Sequence, residues 1–255
     1  MKPVLFTIGK YNVYAFGFFL ALAFILSTFF VWKLAKEEFK EDEYLDIFLY
    51  TAITSLIVAR VFYILNNFGE FEFNILKYVV VTETPGLSLL GGLLGGFLYL
   101  ASVIKKKKYN LLHVLDIFSV AGSFALVFAK LGEQLGGAAF GKITDFALAV
   151  NIVGIPGRRH PTELYEAIIF LILSVFIYIL YRKTQGTKWP KGLVFCIFTE
   201  VVAISVMLLE FLKDYPVYLY GLSIRQIAAA VISIAILPSF IKKLLTVRSF
   251  MIKKT

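Results

Sequence analysis

The octet Arg159-His160-Pro161-Thr162-Glu163-Leu164-Tyr165-Glu166 gathers side chains that carry charge or trade a proton: Arg159, His160, Glu163, Tyr165 and Glu166. A guanidinium in such a group holds an anion, while an imidazole or a carboxylate accepts a proton. The octet stands at the head of an apolar run from Ala167 to Leu180. Polar groups at the edge of hydrocarbon are costly, so a cluster there marks a functional site.

The elements that position these groups follow from composition. Of 255 residues, 59% are hydrophobic and 17% charged. A soluble domain needs more polar surface than that. Seven runs approach the ~20 residues that cross a bilayer, at 13–33, 46–66, 86–104, 111–130, 163–181, 192–212 and 222–241. The expected fold is an all-α integral membrane protein of seven transmembrane helices, forming a single membrane-embedded domain over residues 1–255. The first run exceeds a signal-peptide core and is followed by further spans, so it is expected to be a retained span. The lone Cys196 excludes an intrachain disulfide and a thiolate metal cluster. No metal or cofactor is expected. The net charge of +9 relates to topology and anionic lipid, and no basic soluble domain supports binding to nucleic acid.

Lys and Arg set the orientation. Lys33, Lys36 and Lys40, then Lys105 to Lys108, then Arg182, Lys183, Lys188 and Lys191, then Lys242, Lys243, Arg248, Lys253 and Lys254 follow alternate runs. The opposite connections hold only Lys2, Lys10, Lys77, Lys142, Arg158, Arg159 and Lys213. This bias predicts an outer N-terminus and a cytoplasmic C-terminus. Two outer connections are long. Residues 67–85, with Phe71-Glu72-Phe73 and Val79-Val80-Val81, read as an interfacial segment, and 131–161 as a glycine-rich loop that is mobile or contacts substrate.

On this topology Arg60, Lys130, Glu133, the octet, Glu210, Lys213, Arg225 and Gln226 fall in the outer half of the membrane, with His113 and Asp116 on the inner side and Glu200 near the middle. One reading makes them snorkelling groups that pair helices. The other makes them a phospholipid-headgroup site: cations for phosphate, and a carboxylate or imidazole for proton transfer. Gly91/Gly95 and Gly92/Gly96 likewise have two readings, close helix packing or a helix start that leaves room for a lipid and offers amides to its phosphate. Pro161 is expected at the first position of the fifth helix, with His160 as its cap.

These residues, taken in order, resemble the bacterial phosphatidylglycerol–prolipoprotein diacylglyceryl transferases. Val58-Ala59-Arg60-Val61-Phe62-Tyr63 is similar to a Gly-Ala-Arg-Leu-x-Tyr stretch of that family. Gly86-Leu87-Ser88 with Gly91-Gly92 resembles its Gly-Leu-Ser-x-His-Gly-Gly segment, and Lys130 to Gly141 its Arg-x-Gly-Asn-Phe-x-Asn-Gly-x-x-x-Gly segment. His160-Pro161-Thr162-Glu163-Leu164-Tyr165-Glu166 resembles its His-Pro-x-x-Leu-Tyr-Glu motif, and Glu210-Phe211 and Gly221-Leu222-Ser223 with Gln226 its last two spans. Leu90 stands where the pattern has His, Lys130 where it has Arg, Glu133 where it has Asn, Ala138 where it has a polar or acidic residue, Val206 where it has Arg, and Phe16 where it has Tyr. The resemblance implies transfer of a diacylglyceryl group from phosphatidylglycerol to the lipobox cysteine of a prolipoprotein, in the outer leaflet of the bacterial plasma membrane, with release of glycerol phosphate. It implies Arg60, Lys130 and Arg159 as phosphate contacts. The base is then His160, Glu133 or Glu210, and Gly91, Gly92, Tyr165, Glu166 and Lys213 line the substrate. Another phospholipid transferase on the same scaffold, or a non-catalytic binding member, is the alternative.

Overall fold

Long apolar runs in a chain this poor in polar surface satisfy their backbone groups most cheaply as helices, and helices dominate the fold. The computed structural model describes residues 3–38, 40–71, 78, 86–137, 139–152, 154–187, 189–214, 216–217 and 220–252. Hairpin β1 (Val4–Ile8) and β2 (Tyr11–Tyr14) leads into α1 (Ala15–Lys36), α2 (Glu41–Asn66), the short α3 (Phe68–Phe71), α4 (Leu89–Lys107) and α5 (Leu111–Gly136). A second hairpin, β3 (Val150–Ile152) and β4 (Ile155–Arg159), precedes α6 (Thr162–Thr184), α7 (Leu193–Leu209), a 3-10 turn (Glu210–Leu212) and α8 (Ile224–Ile252). The protein is an all-α membrane protein with seven long helices among the described residues. Six of them, all but α4, are long and apolar enough to cross a membrane. Helix α4 carries Lys105, Lys106 and Lys107 in its last turn.

Several boundaries differ from the sequence expectation. Helix α5 continues past residue 130 to Gly136, so Lys130 and Glu133 sit on a helix rather than at the mouth of a loop. Pro161 occupies the cap position of α6 and Thr162 is its first helical residue. Most of 67–85 lies outside the described residues, including Glu72, Phe73 and Val79–Val81. So do Ala138 and the Lys2, Lys77, Lys188, Lys253 and Lys254 of the charge bias.

The chain divides into two compact units. One holds residues 1–30 and 115–255. In it Phe30 stacks on Phe124 at 4.1 Å between ring centroids and meets Tyr178 edge-on, while Gly132 and Gly136 admit Phe19 and Phe16. These contacts run α1 antiparallel to α5 and bring both to α6. Helix α7 lies antiparallel to α8: the Ser233 hydroxyl donates to Glu200 at 2.6 Å, and Gln226 Nε2 donates to the Met207 carbonyl at 3.1 Å. Asp116, read from sequence only as an inner-face charge, accepts from the amides of Gly192 (2.6 Å) and Phe195 (2.8 Å). It thereby caps α7 where the amides lack helical partners and the helix dipole favours an anion. Asp116→Ala is expected to lower stability by about 0.5–2 kcal/mol, read as an earlier thermal unfolding transition in detergent.

The other unit holds residues 31–114. Here α2 and α4 pack antiparallel through glycines. Gly91 rests on Phe62, Gly92 and Gly96 on Ser55, and Gly95 on Val58. The Ser55 hydroxyl donates to the Gly92 carbonyl at 2.8 Å. A Cβ on Gly95 would stand 2.5 Å from Val58 Cβ, so Gly95→Leu is expected to cost about 1–3 kcal/mol through overpacking, measured as the same thermal shift. At one end, His113 and Glu38 meet at 2.5 Å and the Tyr44 hydroxyl donates to Glu38 at 3.3 Å. Burial pushes the Glu38 carboxyl up, but His113, Tyr44 and Lys40 together hold it below the usual range.

Candidate active site: a buried lysine–glutamate network

Three helix ends carry charged pairs three residues apart: Lys130 and Glu133 on α5, Glu163 and Glu166 on α6, and Glu210 and Lys213 after α7. That spacing puts both members of a pair on one helix face. The fold brings all three pairs together. Lys130 Nζ lies 2.6 Å from Glu133, 2.8 Å from Glu166 Oε2 and 3.9 Å from Glu163. Lys213 Nζ lies 2.6 Å from Glu166 Oε1, 2.8 Å from Glu163 and 3.8 Å from Glu210. Glu166 therefore gives one oxygen to each ammonium. Glu163 also accepts from the Thr162 hydroxyl at 2.5 Å, and Glu210 from the Ser223 hydroxyl at 3.0 Å.

Exposure grades the network. Glu163, Glu166, Lys213 and Glu210 are buried. The side chain of Lys130 is 14% exposed and that of Glu133 is 28% exposed, so this pair forms the accessible edge. Two ammonium groups face four carboxylates. An isolated ion of either sign would not survive there, and each charge is kept by its partners. Glu210 Oε2 is buried with no hydrogen-bond donor among the described residues. The arrangement suits proton acceptance at its carboxylates, with one cation, Lys130, reaching its edge.

The remaining residues of the octet hold the loop in place. Arg159 is buried, and its Nη1 donates to Asp214 (2.8 Å) and to the Gly141 carbonyl (3.0 Å), with the guanidinium over the Phe140 ring. His160 is half-buried, with Nδ1 3.4 Å from the Tyr165 hydroxyl and its ring near that of Phe146. Gly141 passes so close to this segment that a Cβ would stand 2.5 Å from the His160 carbonyl oxygen and 3.0 Å from that of Leu212. Gln134 accepts from the Leu164 amide at 3.1 Å, tying α5 to the first turn of α6.

In the second unit Arg60 is half-buried on α2. Its Nε donates to the Tyr78 carbonyl (3.3 Å) and Nη1 to that of Gly86 (3.1 Å), with the guanidinium 5.0 Å from the Phe71 ring centroid. The Gly91 amide is taken by the Ser88 hydroxyl at 3.2 Å and that of Gly92 by the Ser88 carbonyl at 3.0 Å. Gly91 and Gly92 thus serve the packing of α4 on α2.

A family model described as prolipoprotein diacylglyceryl transferase matches residues 3–241. The chain belongs to the prolipoprotein diacylglyceryl transferase family. It is 27% identical to the phosphatidylglycerol–prolipoprotein diacylglyceryl transferase of Finegoldia magna over 237 residues, covering 92% of this chain and 93% of the relative. It is 29% identical to the enzyme of that name from Geobacter sulfurreducens over 219 residues, covering 84% and 83% of the two chains. It is also 29% identical to that of Campylobacter hominis over 259 residues, covering 95% and 91%.

Within this member of the prolipoprotein diacylglyceryl transferase family, the network unites Lys130, Glu133, Glu166, Glu210 and Lys213 from the sequence-derived set. His160, Tyr165 and Arg159 lie in the same unit on the adjoining loop and helix start. Arg60, Gly91 and Gly92 belong to the other unit. Glu163 carries no separate role among the residues expected from sequence, although it lies in the octet. Its three-residue spacing from Glu166 is the signal that finds it.

Proposed function

We propose that this chain transfers the diacylglyceryl group of phosphatidylglycerol to the lipobox cysteine thiol of a prolipoprotein, with the Lys130–Glu133 pair at the reacting edge. Membership of the family supports the reaction, and one observation supports the site. Glu133 and Lys130 are the accessible members of an otherwise buried network. In the reaction the thiol gives its proton to Glu133 and the thiolate sulfur bonds to the terminal glyceryl carbon. The bond from that carbon to the phosphate oxygen breaks, and glycerol phosphate leaves with the electron pair. Neutralising Glu133 releases Lys130 from its nearest carboxylate as negative charge grows on the leaving phosphate, so the cation is offered when it is needed. Glu163, Glu166 and Lys213 hold Lys130 in place from behind, and Glu210 backs Lys213. Arg159 shapes the loop.

The same reading keeps the chain as one membrane-embedded domain of seven transmembrane helices, with the N-terminus outside, the C-terminus in the cytoplasm, and 67–85 and 131–161 as outer-face segments. The lysine and arginine bias supports it. The protein is a multi-pass membrane protein of a bacterial family, and its partners are phosphatidylglycerol, surrounding membrane lipid and the prolipoprotein signal peptide. Purified protein in phosphatidylglycerol vesicles with a lipobox peptide tests the reaction. The peptide is expected to gain the mass of a diacylglyceryl group on cysteine. A peptide of unchanged mass at every pH, also with Leu90→His, would refute it.

A further inference from the structure

The amino-terminal hairpin takes no part in the network, yet towards its turn the two faces differ. Phe6 pairs with Val13 and Ile8 with Tyr11 across the strands, and directly paired residues share a face. That face is apolar and aromatic. Tyr11 is 81% exposed, Ile8 64% and Phe6 48%. The pair Thr7 and Asn12 occupies the opposite face, where the Thr7 hydroxyl donates to the Asn12 carboxamide oxygen at 2.9 Å, and Tyr14, 59% exposed and two residues beyond Asn12, follows on that face next to α1. The turn between the strands is Gly9-Lys10, with Gly9 at φ +61.

The hairpin is joined to α1 without a linker. Tyr14 ends β2, Ala15 begins α1, and the Ala15 amide donates to the Pro3 carbonyl at 2.8 Å. Phe6 meets Phe18 of α1 edge-on, with ring centroids 6.4 Å apart. Phe18 itself is exposed and heads a row of exposed apolar side chains on α1, including Phe24, Ile25 and Phe29. The apolar face of the hairpin is therefore continuous with the surface that a membrane-crossing α1 presents to lipid.

We propose that β1–β2 is an amphipathic anchor lying in the boundary between headgroups and acyl chains of the leaflet that α1 enters, with Phe6, Ile8 and Tyr11 facing the acyl chains. Its two outer strand edges carry backbone groups with no strand beside them among the described residues, which hydrocarbon does not tolerate, so it stops at the boundary. Phe6, Ile8 and Tyr11 on one face, with Thr7 and Asn12 opposite and Tyr14 beside α1, match the amphipathic chemistry of that zone, and the exposed Lys10 at the turn complements anionic headgroups.

The test uses the full chain with Cys196→Ala, carrying Ile8→Cys or Asn12→Cys labelled with bimane. Each is reconstituted in vesicles of phosphatidylglycerol and phosphatidylcholine. Quenching is measured with lipid brominated near the headgroup end of its acyl chains, and with aqueous iodide. The Ile8 label is expected to be quenched several-fold more by brominated lipid, and several-fold less by iodide, than the Asn12 label. Equal iodide quenching at the two positions would overturn the proposal, as would an Ile8 label that neither quencher reaches. Circular dichroism matching the unlabelled chain shows that each variant is folded.

Discussion

Lys213→Met is expected to lower the stability of the folded chain by about 3–5 kcal/mol, the cost of leaving buried carboxylates without their cation. Lys213 is buried, and its ammonium lies within 2.8 Å of both Glu163 and Glu166. Methionine fills similar volume, so the loss reports charge rather than a cavity. Removing one of the stranded carboxylates should recover part of it: the double variant Lys213→Met with Glu163→Gln is expected to unfold at a higher temperature than Lys213→Met alone. The two residues share a contact, so their effects should not add. Thermal unfolding of the four proteins in one detergent completes the cycle. Additive shifts would mean that the 2.8 Å pair contributes nothing to the fold.

Glu133→Gln is expected to act in the opposite sense, on the reaction rather than on the fold. The replacement keeps shape and can still meet Lys130 through its carboxamide oxygen, but it cannot take up a proton at working pH. Loss of a general base reduces turnover by about 10²–10⁴-fold. Because Glu133 is the more exposed member of its pair, thermal stability should stay close to that of the unaltered chain. The split separates this residue from Glu163 and Glu166, whose replacement is expected to cost stability as well as activity. Turnover of the lipobox peptide at saturating phosphatidylglycerol, with unfolding measured in parallel, reads both quantities.

The helices were legible because hydrophobic runs of membrane length have few other outcomes, and the seven runs correspond to seven long helices. The ends were less legible. Helix α5 extends to Gly136 because Lys130 and Glu133, which look like the end of an apolar run, are paired in the folded chain. Helix α8 extends to Ile252 through Pro238, Lys242, Lys243 and Arg248, well past the expected end near residue 241. Neither short hairpin was anticipated, since alternation over four or five residues is a weak signal beside a long apolar span. In the site, the sequence marked Lys130, Glu133, Glu166, Glu210 and Lys213 by type and by their place at helix ends. It did not reveal which residue pairs with which. Arg159 illustrates the difference: its type suits phosphate, but the fold commits it to Asp214 and Gly141. Gly91 and Gly92 illustrate it again, because the same glycine spacing serves a lipid or a helix, and here Phe62 and Ser55 occupy the space.

We propose that the Lys130–Glu133 edge lipidates a thiol. The most direct measurement is the mass of a lipobox peptide after incubation with the reconstituted chain in phosphatidylglycerol vesicles, taken for the unaltered protein, Lys130→Met and Glu133→Gln. A diacylglyceryl adduct on cysteine is expected with the unaltered protein, none with a peptide carrying serine in its place, and at most trace adduct with either variant. An adduct formed equally well by both variants would contradict it.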